Sequence, residues 1–260
     1  MMLAPAQILL GAGSGGLVGF TLGLVGGGGS ILAVPLMVYL VGVPNPHMAI
    51  GTSALAVAVN AATGLISHAR AHTVKWRCGA VYAAAGIMGA FAGAAVGKAI
   101  DGQKLLFLFA LLMVVVGVTM LRKRAQLGNP AVEFDREKLP KLLGYGLGTG
   151  LFSGFFGIGG GFLIVPGLMR STGMPILNAI GTSLLAVTAF GLTTALSYAL
   201  TGLVDWQLAA VFIGGGILGG ILGSRLVHRL SAKASTITII FSGFIFAIAA
   251  YMLWKSAQAI

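Results

Sequence analysis

Two glycine-rich breaks inside otherwise apolar sequence constrain this chain more than any other feature. The first reads Gly23-Leu-Val-Gly-Gly-Gly-Gly-Ser-Ile-Leu-Ala-Val-Pro35, and the second Gly154-Phe-Phe-Gly-Ile-Gly-Gly-Gly-Phe-Leu-Ile-Val-Pro166. Glycine in a helix interior costs about 1 kcal/mol against alanine. In hydrocarbon, a broken helix also leaves backbone N–H groups with no water to satisfy them. A chain that sets such a break at matching points of two halves is expected to use the freed backbone to hold something.

The sequence around the breaks is that of a bilayer protein. Hydrophobic residues make up 57% of the chain and charged residues 8%. The mean hydropathy is +1.00, far from the average soluble domain. Apolar stretches recur along the whole chain and reach the roughly 20 residues that cross a bilayer. These features predict a multi-pass integral protein of the plasma (inner) membrane, with the lipid bilayer as its surroundings. The start, Met1-Met-Leu-Ala-Pro, lacks the basic region of a signal peptide, so the first segment is expected to be retained. A net charge of +11 would suit nucleic acid. The basic residues lie in short loops between apolar segments, however, where orientation signals belong, and no nucleic-acid partner is expected. Cys78 is the lone cysteine, which rules out an intrachain disulfide, and it reads as a packed thiol.

Five apolar segments can be marked in each half. They run roughly over 7–25, 30–43, 48–69, 77–98 and 104–121, then 142–157, 161–173, 177–200, 206–225 and 234–254. The second of each set is short and starts at the glycine break, so it reads as a half-helix or as one arm of a hairpin buried in protein. True crossings then number eight or ten. The halves also align residue by residue. Gly19, Gly23, Gly26, Gly28, Gly29, Leu32, Val34 and Pro35 fall on Gly150, Gly154, Gly157, Gly159, Gly160, Leu163, Val165 and Pro166. After a one-residue slip, Ala49-Ile-Gly-Thr-Ser53 falls on Ala179-Ile-Gly-Thr-Ser183, and Val74-Lys-Trp76 on Val204-Asp-Trp206. The chain therefore divides into a first membrane repeat over 7–121, a cytoplasmic linker over 122–141 and a second membrane repeat over 142–255.

Loop charge orients one repeat against the other. The loop at 70–77 carries Arg70, Lys75 and Arg77, while its counterpart at 201–205 carries only Asp205. The loop after the fourth segment is nearly balanced in the first half, with Lys98, Asp101 and Lys104, but carries Arg225, His228, Arg229 and Lys233 in the second. Equivalent loops with opposite bias face opposite sides of the membrane. The expected fold is an all-α polytopic bundle of two inverted repeats of four to five segments each, with glycine-broken half-helices meeting near the midplane. Inverted repeats of this kind are frequent in secondary transporters. The rows Gly89-x-x-x-Gly93-x-x-x-Gly97 and Gly215-x-x-x-Gly219-x-x-x-Gly223 read as faces for close helix contact.

The chemistry open to such a bundle is narrow. Asp101, Glu133, Asp135, Glu137 and Asp205 all fall in loops or at segment ends, so no membrane carboxylate is available for a proton relay or a cation site. His47, His68, His72 and His228 form no ligand-type cluster. No metal, cofactor or enzymatic activity is expected. What remains suits an anion. Helix starts offer unpaired N–H groups and partial positive charge, and glycine lets a ligand approach the backbone. The candidate substrate-binding residues are Gly26, Gly27, Gly28, Gly29 and Ser30 with Gly159, Gly160 and Gly161. Thr52, Ser53, Thr182 and Ser183 add hydroxyls at symmetric places, although such hydroxyls also bond the preceding turn in many membrane helices. Asn60 has Phe190 as its equivalent, and His68 has Tyr198. These asymmetric residues either tune the site or join helices.

The paired glycine breaks followed by proline, the Ala-Ile-Gly-Thr-Ser repeats and the Val-x-Trp turns resemble the TauE/SafE family of membrane permeases over roughly residues 10–255. The resemblance implies export of sulfite or organosulfonate anions. An interior-negative potential drives such efflux by about 2.3 kcal/mol per charge per 100 mV, with no coupling ion required. Alternating access of the two repeats is the favoured mechanism. An anion channel and an ion-coupled sulfonate uptake permease are the alternatives, and a homo-oligomer is compatible with either.

Overall fold

Apolar segments in a bilayer satisfy their backbone most simply as helices, and the described segments do so even where Pro166 lies inside one of them. The computed structural model describes residues 4–122, 136–230 and 234–257, and among these there is no strand. The helices are α1 (Pro5–Val25), α2 (Ala33–Pro35), α3 (Pro46–Arg70), α4 (Trp76–Ala99), α5 (Gly102–Arg122), α6 (Leu139–Phe156), α7 (Gly161–Thr172), α8 (Ile176–Ala199), α9 (Trp206–Leu230) and α10 (Ala234–Ala257). Proline opens α1 and α3 and stands at the second position of α6, where its missing N–H costs nothing. Six helices among the described residues are long and apolar enough to cross a membrane. The chain is a multi-pass integral membrane protein. Residues 123–135, most of the predicted linker, and Lys233 lie outside the described residues.

Helix contacts occur in pairs that exchange with one another when the two halves are exchanged. The most extensive are α1 against α9 and α4 against α6; α3 packs on α8, and α5 on α10. Each of these pairs joins one half to the other, so the halves interlock into one bundle. Glycine makes the two longest seams possible. Along α1, Gly15, Gly19 and Gly23 lie on the backbone of Phe212, Gly216 and Gly220. Along α6, Gly146, Gly150 and Gly154 lie on Tyr82, Gly86 and Ala90. Gly89, Gly93 and Gly97 face Leu147, Leu151 and Phe155, and Gly215, Gly219 and Gly223 face Ala12, Gly16 and Phe20. The glycine rows are thus contact faces, where removing the side chain brings two backbones into van der Waals range.

The duplicated motifs form the other interlock. The Lys75 N–H donates to Thr182 Oγ1 at 2.9 Å, and the Asp205 N–H donates to Thr52 Oγ1 at 2.9 Å. Each Gly-Thr-Ser sequence therefore receives the Val-x-Trp turn of the opposite half. The glycine of each motif makes room, since a Cβ on Gly181 would stand 2.6 Å from Thr73 Oγ1 and one on Gly51 would stand 2.7 Å from Tyr198 Cβ. Trp76 and Trp206, at the starts of α4 and α9, are exposed, as suits an aromatic belt at the membrane surface. We expect Thr52→Val and Thr182→Val each to lower stability by about 1 kcal/mol, because each strands one loop N–H. Thermal unfolding in detergent should show similar losses for the two variants.

Candidate functional site

The second break is formed by three left-handed glycines. Gly157, Gly159 and Gly160 have φ of 67°, 65° and 64°, a conformation that costs other residues about 1–2 kcal/mol each. The chain leaves α6, turns, and begins α7 at Gly161, and no side chain caps that start. The first backbone N–H donations within α7 come from Leu163 and Ile164, both to the Gly160 carbonyl. The N–H groups ahead of them belong to the helix start, where partial positive charge gathers. A Cβ on Gly159 would stand 3.0 Å from Val57 and 3.1 Å from Val187, residues midway along α3 and α8. The second break therefore sits at the centre of the α3–α8 crossing.

The first break is built differently. Here Gly26 has a positive φ of 71°, with ψ of −147° outside the left-handed helical region. Residues Gly26–Leu32 then continue as a 3-10 helix, followed by the single α turn of α2 and a π-helical stretch over Leu36–Leu40. The expected half-helix over 30–43 is present as a short apolar helix over Gly28–Leu40, although its 3-10 and π-helical geometry differs from the regular α-helix of its mate α7. The cause is local. A glycine run that stays right-handed after its first residue tightens into 3-10 geometry instead of resetting a new helix start.

The two breaks nevertheless come together, since α7 packs on the Gly26–Leu32 turn. They occupy equivalent places: Gly26 lies against Ile180, and Gly157 lies against Ile50. Gly26, Gly28, Gly29, Ser30, Gly159, Gly160 and Gly161 are all buried, while Gly27 lies within the same 3-10 turn. The other predicted residues are placed around this contact. Ser53 Oγ donates to the Ile50 carbonyl at 3.0 Å, and Ser183 Oγ to that of Ile180 at 2.8 Å. Thr52 and Thr182 hold the opposing loops, as described above. All four hydroxyls fix the two isoleucines and turns that border the breaks. Asn60 stands apart from them, in a recess between α1, α3, α8 and α9.

Two of the described carboxylates, Asp101 and Asp205, are engaged at helix starts. Asp101 Oδ1 accepts from the Gln103 and Lys104 N–H groups at 3.0 and 3.2 Å. Asp205 Oδ1 accepts from the Leu208 N–H at 3.0 Å. Neither reaches the breaks. Sequence reasoning alone does not single out Ser153 and Thr194, whose hydroxyls are buried with no hydrogen-bond partner. A Cβ on Gly160 would stand 3.1 Å from Ser153 Oγ, so this hydroxyl borders the start of α7. The available signal was the alignment itself, which sets Ser153 against Leu22 and Thr194 against Gly64.

This architecture agrees with the comparisons to known proteins. The family model described as sulfite exporter TauE/SafE matches residues 11–252. The chain belongs to the TauE/SafE family. A "Probable membrane transporter protein" of Xylella fastidiosa (strain Temecula1) is 54% identical over 253 residues, covering 96% of this chain and 96% of that protein. The "Probable membrane transporter protein YunE" of Bacillus subtilis is 27% identical over 240 residues, covering 84% of this chain and 88% of that protein. No solved structure matches the chain. Membrane transport is what the family and these relatives have in common with a multi-pass bundle whose centre holds two broken segments.

Proposed function

We propose that this TauE/SafE protein exports small sulfur-containing anions, sulfite or organosulfonates, by alternating access of two inverted repeats. The observation that carries the reading is the contact of the two glycine breaks between α3 and α8. There the chain exposes backbone at the heart of the bundle, where side-chain bulk is least. The start of α7 at Gly159, Gly160 and Gly161 offers N–H donors to an oxyanion. Gly26, Gly27, Gly28, Gly29 and Ser30 form the facing wall, and Thr52, Ser53, Thr182 and Ser183 hold the borders of both. A cradle of backbone donors with no fixed cation binds an anion weakly enough to release it.

The paired contacts support two repeats that rock against one another, and the opposite loop charges support their inversion. Each repeat then contributes the same elements from opposite sides, with residues 122–141 joining them in the cytoplasm. Rocking about the α3–α8 crossing would expose the breaks to one side and then to the other. The absence of a carboxylate from the described apolar helix interiors leaves the membrane potential as the simplest driving force. It contributes about 2.3 kcal/mol per charge per 100 mV to outward movement of an anion.

The test is anion flux in proteoliposomes under an imposed potential, comparing sulfite, methanesulfonate, sulfate and chloride. We expect sulfite and methanesulfonate flux that saturates with concentration and follows the potential. Flux that rises without saturation would identify an anion channel. Flux that requires an ion gradient would identify a coupled uptake permease. Indifference to every sulfur oxyanion would remove the substrate assignment.

A further inference from the structure

The outer face of α6 carries a groove of about 460 Å³ that the transport reading does not use. Its floor is Lys141, Gly144, Gly148 and Phe152, and its sides are Leu112 of α5 and Leu163 of α7. The four α6 residues recur at helical spacing and so share one face. The two glycines make the hollow, since a Cβ on either would meet nothing within 4 Å. Thr149 also lines the groove, but its hydroxyl is spent. It donates to the Tyr145 carbonyl at 2.7 Å and pairs with the Tyr82 hydroxyl at 2.8 Å. The walls are therefore hydrocarbon.

The groove lies among side chains that face lipid. Leu108 and Val115 of α5 and Leu143 and Phe152 of α6 are all exposed apolar residues. From Lys141 to Phe152 the helix rises about 16 Å. That is close to half the roughly 30 Å hydrocarbon thickness of a bilayer, the depth of one leaflet. An acyl chain is the solute already present at this place.

One end of the groove is cationic. Lys141 is exposed in the first turn of α6, and Arg170 is exposed in the last turn of α7. Arg170 stands two turns beyond Leu163, on the same face of α7. The Lys138 ammonium donates to the Thr172 carbonyl at 3.2 Å, which ties the start of α6 to the end of α7 and brings both cations to one end. The Asn178 amide donates to the Thr73 carbonyl at 3.0 Å, so the loop with Arg70, Lys75 and Arg77 lies at that end too. Among the described carboxylates, Glu137 alone stands there. The first half lacks both features. In the alignment that pairs Gly19 with Gly150, Lys141 falls on Leu10 and Gly148 on Leu17.

We infer that the α5–α6–α7 groove binds one anionic phospholipid, with an acyl chain along Gly144 and Gly148 and its phosphate at Lys141 and Arg170. The hydrocarbon walls select a lipid over a soluble anion, and the cations select an anionic headgroup over a zwitterionic one. Leu163 lies in the first turn of α7, so the bound chain braces the hairpin that carries the second break. This site goes beyond the transport reading and does not depend on it.

The test uses the full chain purified in detergent, with dioleoyl phosphatidylglycerol and dioleoyl phosphatidylcholine as probes. Bound lipid is counted by native mass spectrometry, and unfolding temperature is followed in parallel. The parent should retain one phosphatidylglycerol per chain and prefer it to phosphatidylcholine by at least about tenfold. Lys141→Gln should lower phosphatidylglycerol affinity about fivefold and leave that for phosphatidylcholine within about twofold. Gly148→Leu fills the hollow and should abolish retention of the lipid, while its lipid-free Tm stays that of the parent. Gly13→Leu, at an open glycine of α1, should bind as the parent does. Equal retention of the two lipids by the parent would overturn the site. So would unchanged phosphatidylglycerol binding in Lys141→Gln or in Gly148→Leu. Loss of a dimer in Gly148→Leu, with lipid binding intact, would mark the groove as a contact between copies and overturn it as well.

Discussion

Leucine at Gly154 should prevent the folded protein from accumulating, whereas leucine at Gly148 on the same helix should be tolerated. A Cβ on Gly154 would stand 2.7 Å from the Ala90 carbonyl carbon and 2.8 Å from its Cα, while one on Gly148 would meet nothing within 4 Å. The obstacle at Gly154 is backbone, which cannot rotate away as a side chain can. Overpacking a close-packed core costs about 1–3 kcal/mol or more, and a backbone obstacle sets the upper end. Against a total stability of roughly 5–15 kcal/mol, this loss is severe. The same contrast is expected on α1. Gly23, with the Gly220 oxygen 2.7 Å and the Ser224 nitrogen 2.8 Å from its notional Cβ, should be intolerant, and Gly13, with nothing in range, should be permissive. Size-exclusion profiles of fluorescent fusions, with thermal unfolding of the material that survives, would measure both contrasts. If Gly154→Leu assembled with the Tm of the parent, the α4–α6 seam would not be as close as described.

The second large effect concerns the centre of the bundle. Gly159→Ala should leave a folded protein and lower sulfite flux by at least about tenfold. Alanine at φ 65° is strained, at about 1–2 kcal/mol, and its methyl would press on Val57 and Val187 at 3.0 and 3.1 Å. These valines lie on the two helices about which the repeats would rock, so the added methyl both tightens the pivot and covers backbone donors. Gly202→Ala provides the matched control. It pays a similar backbone strain at φ 72° with no neighbour within 4 Å, in a loop away from the breaks. Initial rates at equal amounts of reconstituted protein would separate strain from function. Equal flux in Gly159→Ala and the parent would remove the second break from the pathway.

Much of the helical layout was legible because segment length and apolarity leave few alternatives in a bilayer. All ten predicted segments correspond to described helices or to the first broken segment, within a few residues at their ends. The glycine rows also revealed their role, since a run of small residues at helical spacing has one simple use in lipid. Three things could not be read. The bond from the Asp205 N–H to Thr52 joins residues 153 apart in sequence, and no local pattern announces such a partner. The first break keeps most of its glycines right-handed, and glycine's freedom at φ hides that choice from its letter. Ser153 and Thr194 look like ordinary helix hydroxyls until burial shows that they lack partners. Among the predicted site residues, the structure brings the two breaks together and gives Thr52, Ser53, Thr182 and Ser183 structural bonds at their edges. Asn60 belongs to a separate recess on one side.

Counterflow of labelled sulfite tests the central claim most directly, because only a carrier that exposes its site alternately can couple the movement of two anions. Vesicles loaded with unlabelled sulfite would be diluted into a trace of labelled sulfite with the potential clamped at zero. The inverted-repeat account predicts that label accumulates transiently inside above its external concentration and then declines. Simple equilibration, with no overshoot at any internal load, would contradict it.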